Sequence, residues 1–329
     1  MTLYAILSDI HGNYQALLAV ERDAQKIADQ TSAKLVFVCL GDVVDYGPQP
    51  NECMKWVLDH CTYIVQGNHE KDIAGLWERP PQTIDEPLWP ITLWTGHVLE
   101  KSHKSIIQEW VENREVKFGQ QDFKLFHSSL TTLHAYIDEP TMAWEDFRRF
   151  RLQNGLFGHT HHQGYFLEGD RNAGEPATLY LTRPDNFTTS YSKDRALATV
   201  GEWHSFGDLR RRALFNPGSV GQPRSHSFLL GQNQIAHDGK AAYMLINMNG
   251  DKSGEFQFRR VGTEMGYDVE ETITLLQKCV RWSNGTDPNG IFKDNANPGR
   301  KKLKEKYANM GVLLPEVVEK ILIPTLRNG

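Results

Sequence analysis

Cysteine is scarce in this sequence of 329 residues: there are four, Cys39, Cys53, Cys61 and Cys279, and no C-x-x-C spacing. That excludes a disulfide-stapled scaffold and a thiolate zinc site, and the four read as reduced core thiols. Long apolar runs are also missing. The strongest, residues 35–40, is far too short to cross a bilayer, and the N-terminus enters an apolar strand with no basic lead or cleavage site, so the expectation is a cytoplasmic protein with no membrane partner. Nor is there an excess of positive charge. Lys and Arg number 36 against 41 Asp and Glu, a net charge of −5, so a polyanion meets no general attraction and nucleic acid is disfavoured as a partner. The basic runs at 210–212 and 301–306 read as solvated faces.

What is present is a globular composition, 40% apolar and 23% charged, long enough for one large domain with insertions. Strands and helices alternate from the start. Residues 3–7 form an apolar run, Asn13 can cap a helix with apolar positions at Leu17, Val20, Ala24, Ile27 and Ala28, and 34–40 repeats the strand signal. A second helix starts near Asn51 and a third strand covers 62–65. Four prolines between 79 and 90 break the pattern, and a tryptophan-bearing helical stretch, roughly 91–113, reads as an inserted cap. Strand signals return at 123–126, 155–157, 177–181, 214–215, 241–246 and 256–261. The expected fold is α/β: layered, with central β-sheets flanked by helices, a main domain over 1–270 with insertions at about 79–115 and 170–212, and a helical extension over 271–329 packed on it.

Potential ligands follow strand signals five times. Asp9-x-His11 follows the first, Gly41-Asp42-x-x-Asp45-Tyr46-Gly47 the second, Gly67-Asn68-His69-Glu70 the third, His127 the strand at 123–126, and Gly158-His159-x-His161 the strand at 155–157. Parallel strands gather their carboxyl ends on one edge, so these residues are expected to converge although half the chain separates them. Carboxylates, imidazoles and an amide oxygen without thiolate suit manganese, iron, zinc, nickel or magnesium. Seven ligands are too many for one ion. A bridged pair of cations could clamp the attacking and leaving oxygens of a phosphoryl displacement.

In this order the fragments resemble the calcineurin-like metallophosphoesterases, and the stretch from Asp42 to Cys53 with the Asn216–Arg224 loop (NPGSVGQPR) resembles bacterial and archaeal phosphodiesterases of that family. The resemblance covers most of 1–270. It implies two divalent metal ions, manganese foremost, one held by Asp9, His11 and His161, the other by Asn68, His127 and His159, with Asp42 bridging. A bridging hydroxide would be the nucleophile, His69 the general acid and Asp45 the residue orienting its imidazole. Neutral Asn68 leaves positive charge facing the phosphate. The implied partner is a small phosphate-ester substrate, a homo-oligomer being left open. Tyr46 stands where protein serine/threonine phosphatases have arginine, which disfavours a protein substrate. A phosphomonoesterase, a protein phosphatase and an inert metal-binding scaffold remain as alternatives. Glu70 reads as a helix-start acid, Arg224 as part of a structural turn, and His60, His97, His103, His134 and His237 as surface or core residues.

Overall fold

The computed structural model describes residues 1–76, 89–170, 174, 177–183, 198–224, 240–248, 254–279 and 318–328. The first sheet holds β1 (Thr2–Leu7), β2 (Lys34–Cys39), β3 (Cys61–Ile64), β10 (His204–Ser205), β12 (Ala241–Met248) and β13 (Glu255–Val261), in the order β10-β13-β12-β1-β2-β3. The second holds β4 (Asn113–Phe118), β5 (Gln121–Phe126), β6 (Asn154–Leu156), β7 (Gly164–Leu167), β8 (Thr178–Arg183), β9 (Ala198–Thr199) and β11 (Ala213–Asn216), in the order β4-β5-β6-β11-β7-β8-β9. Within them β1, β2 and β3 are mutually parallel, as are β5, β6 and β11.

Period-two patterning sorts the side chains into layers. From β1 and β12, Leu3, Ala5, Leu7, Tyr243 and Leu245 turn toward α1 (Tyr14–Thr31) and α2 (Pro50–His60). Their neighbours Ile6, Met244 and Ile246 turn the other way, to meet Phe123, Leu156 and Phe215 of the second sheet. Every residue of β12 is buried because it lies inside one sheet and has cover on both faces. Beyond the second sheet, α6 (Pro140–Phe147) packs Ala143 and Phe147 against Phe126 and Phe157. Asn13 caps α1, its Oδ1 accepting the Ala16 N–H at 3.1 Å.

Where one helical stretch was expected over 91–113, two helices form, α4 (Trp89–Val98) and α5 (Lys101–Glu109), and β4 begins at Asn113. The break has a local cause: Asn51 donates Nδ2–H to Val98 O at 2.9 Å and accepts the Glu100 N–H at 2.9 Å, satisfying the end of one helix and the start of the next. The stretch expected as a variable insertion over 170–212 supplies β8, β9, β10 and α7 (Phe206–Leu209), strands of both sheets; 184–197 lie outside the described residues. In the tail, α8 (Val269–Cys279) is followed, beyond 280–317 that are likewise outside, by a π-helical turn Val318–Leu322 and α9 (Ile323–Asn328). Among the described residues, no helix is long and apolar enough to cross a membrane.

Candidate metal centre

The parallel strands β1, β2 and β3 of one sheet and β5 and β6 of the other end on a shared edge, so the expected convergence draws on both sheets. Backbone hydrogen bonds lace the loops there. Asp9 N–H donates to Gly41 O (3.1 Å), His11 N–H to Asp42 O (2.9 Å) and Gly158 N–H to His127 O (2.7 Å). Crossing from one sheet to the other, the His159 N–H meets the Asp9 carboxylate at 3.1 Å. Such close passage demands glycine at Gly67 and Gly158, where a Cβ would overlap the Asp42 carboxylate and the Ser8 hydroxyl. It also demands left-handed backbone. Of the nine described non-glycine residues with positive φ, seven are Asp9, His11, Asp42, Asp45, Tyr46, His159 and His161. Unfavourable backbone concentrates where side chains must be aimed.

All nine residues singled out in the sequence lie in this region, eight of them fully or almost fully buried and His69 slightly exposed. Donor atoms of Asp9, His11 and His161 form one group that could hold a cation, and those of Asp42, His127 and His159 a second. His161 Nε2 is 3.3 Å from Asp9 Oδ1, and His127 Nε2 is 2.9 Å from Asp42 Oδ2 and 3.2 Å from Asn68 Oδ1. Asp42 Oδ2 is also 3.9 Å from His11 Nε2, between the two groups.

The tautomers make this a cage of acceptors. Three imidazoles point Nδ1 at a backbone carbonyl: His11 at Val44 O (3.2 Å), His127 at Leu40 O (2.8 Å) and His161 at Gln222 O (2.6 Å). A carbonyl only accepts, so each Nδ1 carries a proton, and in the neutral rings of His11 and His161 Nε2 turns a lone pair inward. His11 Nε2 and His161 Nε2 thus face each other at 3.1 Å, while the buried His159 Nε2 has no hydrogen-bond partner. Lone pairs and carboxylates crowded in this way fit cations.

The charge balance agrees. Burial lowers the pKa of His11 and His161 and takes His159 down to about 3, favouring neutral ligands. Burial would raise Asp9 and Asp42, but His161 beside the one and His127 beside the other hold both below the usual carboxylate range. His127 is the exception: Asp42 outweighs burial and raises its pKa to about 9, so this ring holds a proton on Nε2 toward Asp42 Oδ2 that a bound cation would replace.

At the edge of the cage, His69 Nδ1 meets Asp45 Oδ2 at 2.8 Å and His69 Nε2 lies 3.9 Å from Asp42 Oδ2. Burial lowers the His69 pKa, but Asp42 and the hydrogen-bonded Asp45 outweigh it and raise it to about 10. Tyr46 is buried, its ring 4.5 Å from that of His11 and 4.6 Å from that of His69.

Several supporting residues were not legible beforehand. Glu70 is more than a helix-start acid: its carboxylate accepts the N–H groups of Asp42 (2.8 Å), Val43 (2.7 Å), Val44 (3.2 Å) and Gly67 (2.9 Å). The Asn216–Arg224 loop is a support too. Ser219 Oγ donates to Asp9 O (2.7 Å), Asn216 Nδ2 to Gly158 O (2.8 Å), and Gln222 O receives His161. His134, expected to be without a role, stands 3.7 Å from the Asp72 carboxylate beside α3 (Asn68–Gly75). Tyr136, 40% exposed, stacks on His159 at 4.2 Å. His103 is a core histidine as expected, its Nδ1 3.1 Å from Asn51 Oδ1, and His237 lies outside the described residues.

Residues 3–163 match the family model described as calcineurin-like phosphoesterase. With the two packed sheets and the ligand groups at their common edge, the match defines a metal-dependent phosphoester hydrolase. Over residues 3–163 the chain is a calcineurin-like phosphoesterase. An uncharacterised protein of Methanocaldococcus jannaschii is 26% identical over 285 residues, 84% of this chain and 93% of that one. The symmetrical bis(5'-nucleosyl)-tetraphosphatase of Chromobacterium violaceum is 28% identical over 182 residues, 46% of this chain and 62% of its own length. Among solved structures, a metallophosphoesterase from Sphaerobacter thermophilus shares the fold with a TM-score of 0.60 at 23% identity, covering 84% of this chain and 94% of that one.

Proposed function

We propose that the protein is a cytoplasmic phosphodiesterase working with two divalent cations, manganese foremost, on a small phosphate diester. The observation that carries this reading is the inward-facing set of acceptors with the His69–Asp45 pair at its rim. Asp9, His11 and His161 would hold one cation and Asn68, His127 and His159 the other, with Asp42 shared. When bound, the cations would lower the pKa of water to furnish the nucleophile and offset charge developing on the phosphoryl oxygens. Carbonyls at Val44, Leu40 and Gln222 keep the ligand imidazoles in the tautomer that offers Nε2. Glu70 keeps the Asp42–Val44 turn closed. His69 hands its Nε2 proton to the departing oxygen, and Asp45 holds the opposite nitrogen. Tyr46 removes the guanidinium that a protein phosphatase would place here, which supports a smaller substrate. The Chromobacterium relative is, by its name, a symmetrical bis(5'-nucleosyl)-tetraphosphatase, which supports a small phosphorylated target. The catalytic unit would span 1–270, with 271–329 a helical extension packed on it.

The test is metal-depleted protein assayed on bis-p-nitrophenyl phosphate and p-nitrophenyl phosphate, with manganese, nickel, zinc, iron and magnesium restored separately. Diester cleavage restored by a metal is the expected result. Preference for the monoester would make the protein a phosphatase, and no cleavage of either with two metals bound would make it an inert scaffold.

A further inference from the structure

The pair His69–Asp45 does not end at Asp45. That carboxylate is buried, on backbone of φ +73°, and each of its oxygens receives two donors. Oδ1 accepts the Tyr46 N–H at 2.9 Å, and Oδ2 takes His69 Nδ1 at 2.8 Å. The other two donors come from the cap helix, 47 and 50 residues away. Thr92 Oγ1 donates to Oδ2 at 2.7 Å and Thr95 Oγ1 to Oδ1 at 3.3 Å. Both threonines are fully buried and sit three residues apart, on one face of α4.

The helix presenting these hydroxyls is itself wedged. Its Ile91 and Trp94 pack in one apolar cluster with Tyr46, with Leu276 of α8, and with Leu322 and Leu326 from the end of the chain. The same cluster therefore sets the ring that lies against His69 and the helix that holds Asp45. A carboxylate with all its donors in place cannot rotate, and the Nδ1–H bond it accepts then fixes where Nε2 of His69 aims.

We propose that Thr92, seconded by Thr95, is a positioning residue for proton delivery, so that the inserted α4 completes the acid–orienter pair. This rests on His69 being the acid of the proposed phosphodiesterase. Two buried hydroxyls that merely satisfied Asp45 would contribute to stability alone. A positioning role has a different mark: its loss must weigh more heavily where the leaving group needs the proton more.

The experiment compares manganese-loaded wild type, Thr92→Val and Thr92→Ser on bis-p-nitrophenyl phosphate and on diphenyl phosphate, whose leaving group is the more basic. Thr92→Val keeps the side-chain shape and removes the donor. It should lower kcat on diphenyl phosphate about 10-fold or more and on the nitrophenyl diester by no more than about 2-fold, with KM and metal content unchanged, and Thr92→Ser should restore most of the loss. Equal loss on both substrates, or none on either, overturns the proposal. Should Thr92→Val fail to fold, Thr95→Val carries the same comparison. A turnover-independent arm follows the Nδ1 proton of His69 by NMR in zinc-loaded protein, where Thr92→Val should speed its exchange with solvent about 10-fold. Unchanged exchange overturns the positioning role even if wild type hydrolyses neither diester, an outcome that by itself would refute only the phosphodiesterase reading.

Discussion

Glu70 Oε1 accepts the backbone N–H of Val43 at 2.7 Å, across 27 residues of sequence. With the bonds from Asp42, Val44 and Gly67, one carboxylate closes the loop carrying Asp42 onto the start of the helix carrying Asn68 and His69. Glu70→Gln turns a donor toward that ring of donors. It should cost about 2–4 kcal/mol in urea unfolding and lower the bound metal below wild type, measured by elemental analysis. Unchanged stability and metal content would mean that the loop is held by its backbone bonds alone.

His69 contributes no ligand atom in the proposed arrangement. His69→Ala is therefore expected to reduce turnover about 100-fold or more while metal content stays at the wild-type level. Wild-type rates in this variant would remove His69 from the chemistry, and loss of a metal would move it into the ligand set.

Asp42 behaves in the opposite way. Its Oδ2 lies 2.9 Å from His127 Nε2 and 3.9 Å from His11 Nε2. Asp42→Asn keeps the shape and removes the charge shared between the two groups, so at least one equivalent of metal should be lost on dialysis. Two fully retained equivalents would contradict a shared carboxylate.

A carboxyl remote from the centre makes a prediction about pH. Asp146 is buried, accepts the Leu130 N–H at 2.7 Å and the Ser129 hydroxyl at 3.1 Å through Oδ1, and has no partner at Oδ2. Burial pushes its pKa up to about 6, against an ordinary 3.8. A carboxyl raised on folding stabilises the fold below its unfolded pKa and loses that contribution as the pH climbs through the folded value, here between about 4 and 6. Asp146→Asn abolishes this slope. Relative to wild type, its urea-derived stability should improve by about 2 kcal/mol from pH 4 to pH 7.5, and a constant difference would show that the carboxyl is not raised.

Part of this was legible because local pattern and chemistry coincide. The helix cap at Asn13, the strands β1 and β2, and the ligands at their ends are written within a few residues of one another. Supports that act across the fold leave no such trace. Glu70 looks like any acid in a first helical turn, since three of its four partners sit 26–28 residues earlier. Thr92 and Thr95 look like ordinary helix positions, because nothing local reveals that Asp45 lies opposite. More than one sheet was expected, but the assignment of strands to each was equally hidden. β5 and β6 have the period of β1 and β2, and which sheet a strand joins is decided by long-range pairing that a single sequence does not display.

The Asn216–Arg224 loop has a consequence for how the protein is made. Asp9 emerges from the ribosome more than two hundred residues before Ser219 and Gln222, the groups that hold its carbonyl and the ring of His161. A nascent chain therefore carries Asp9 and His161 while these supports are still untranslated. The proposed metal pair would in this sense be a late step of biosynthesis, waiting on a loop more than two hundred residues downstream of its first ligand.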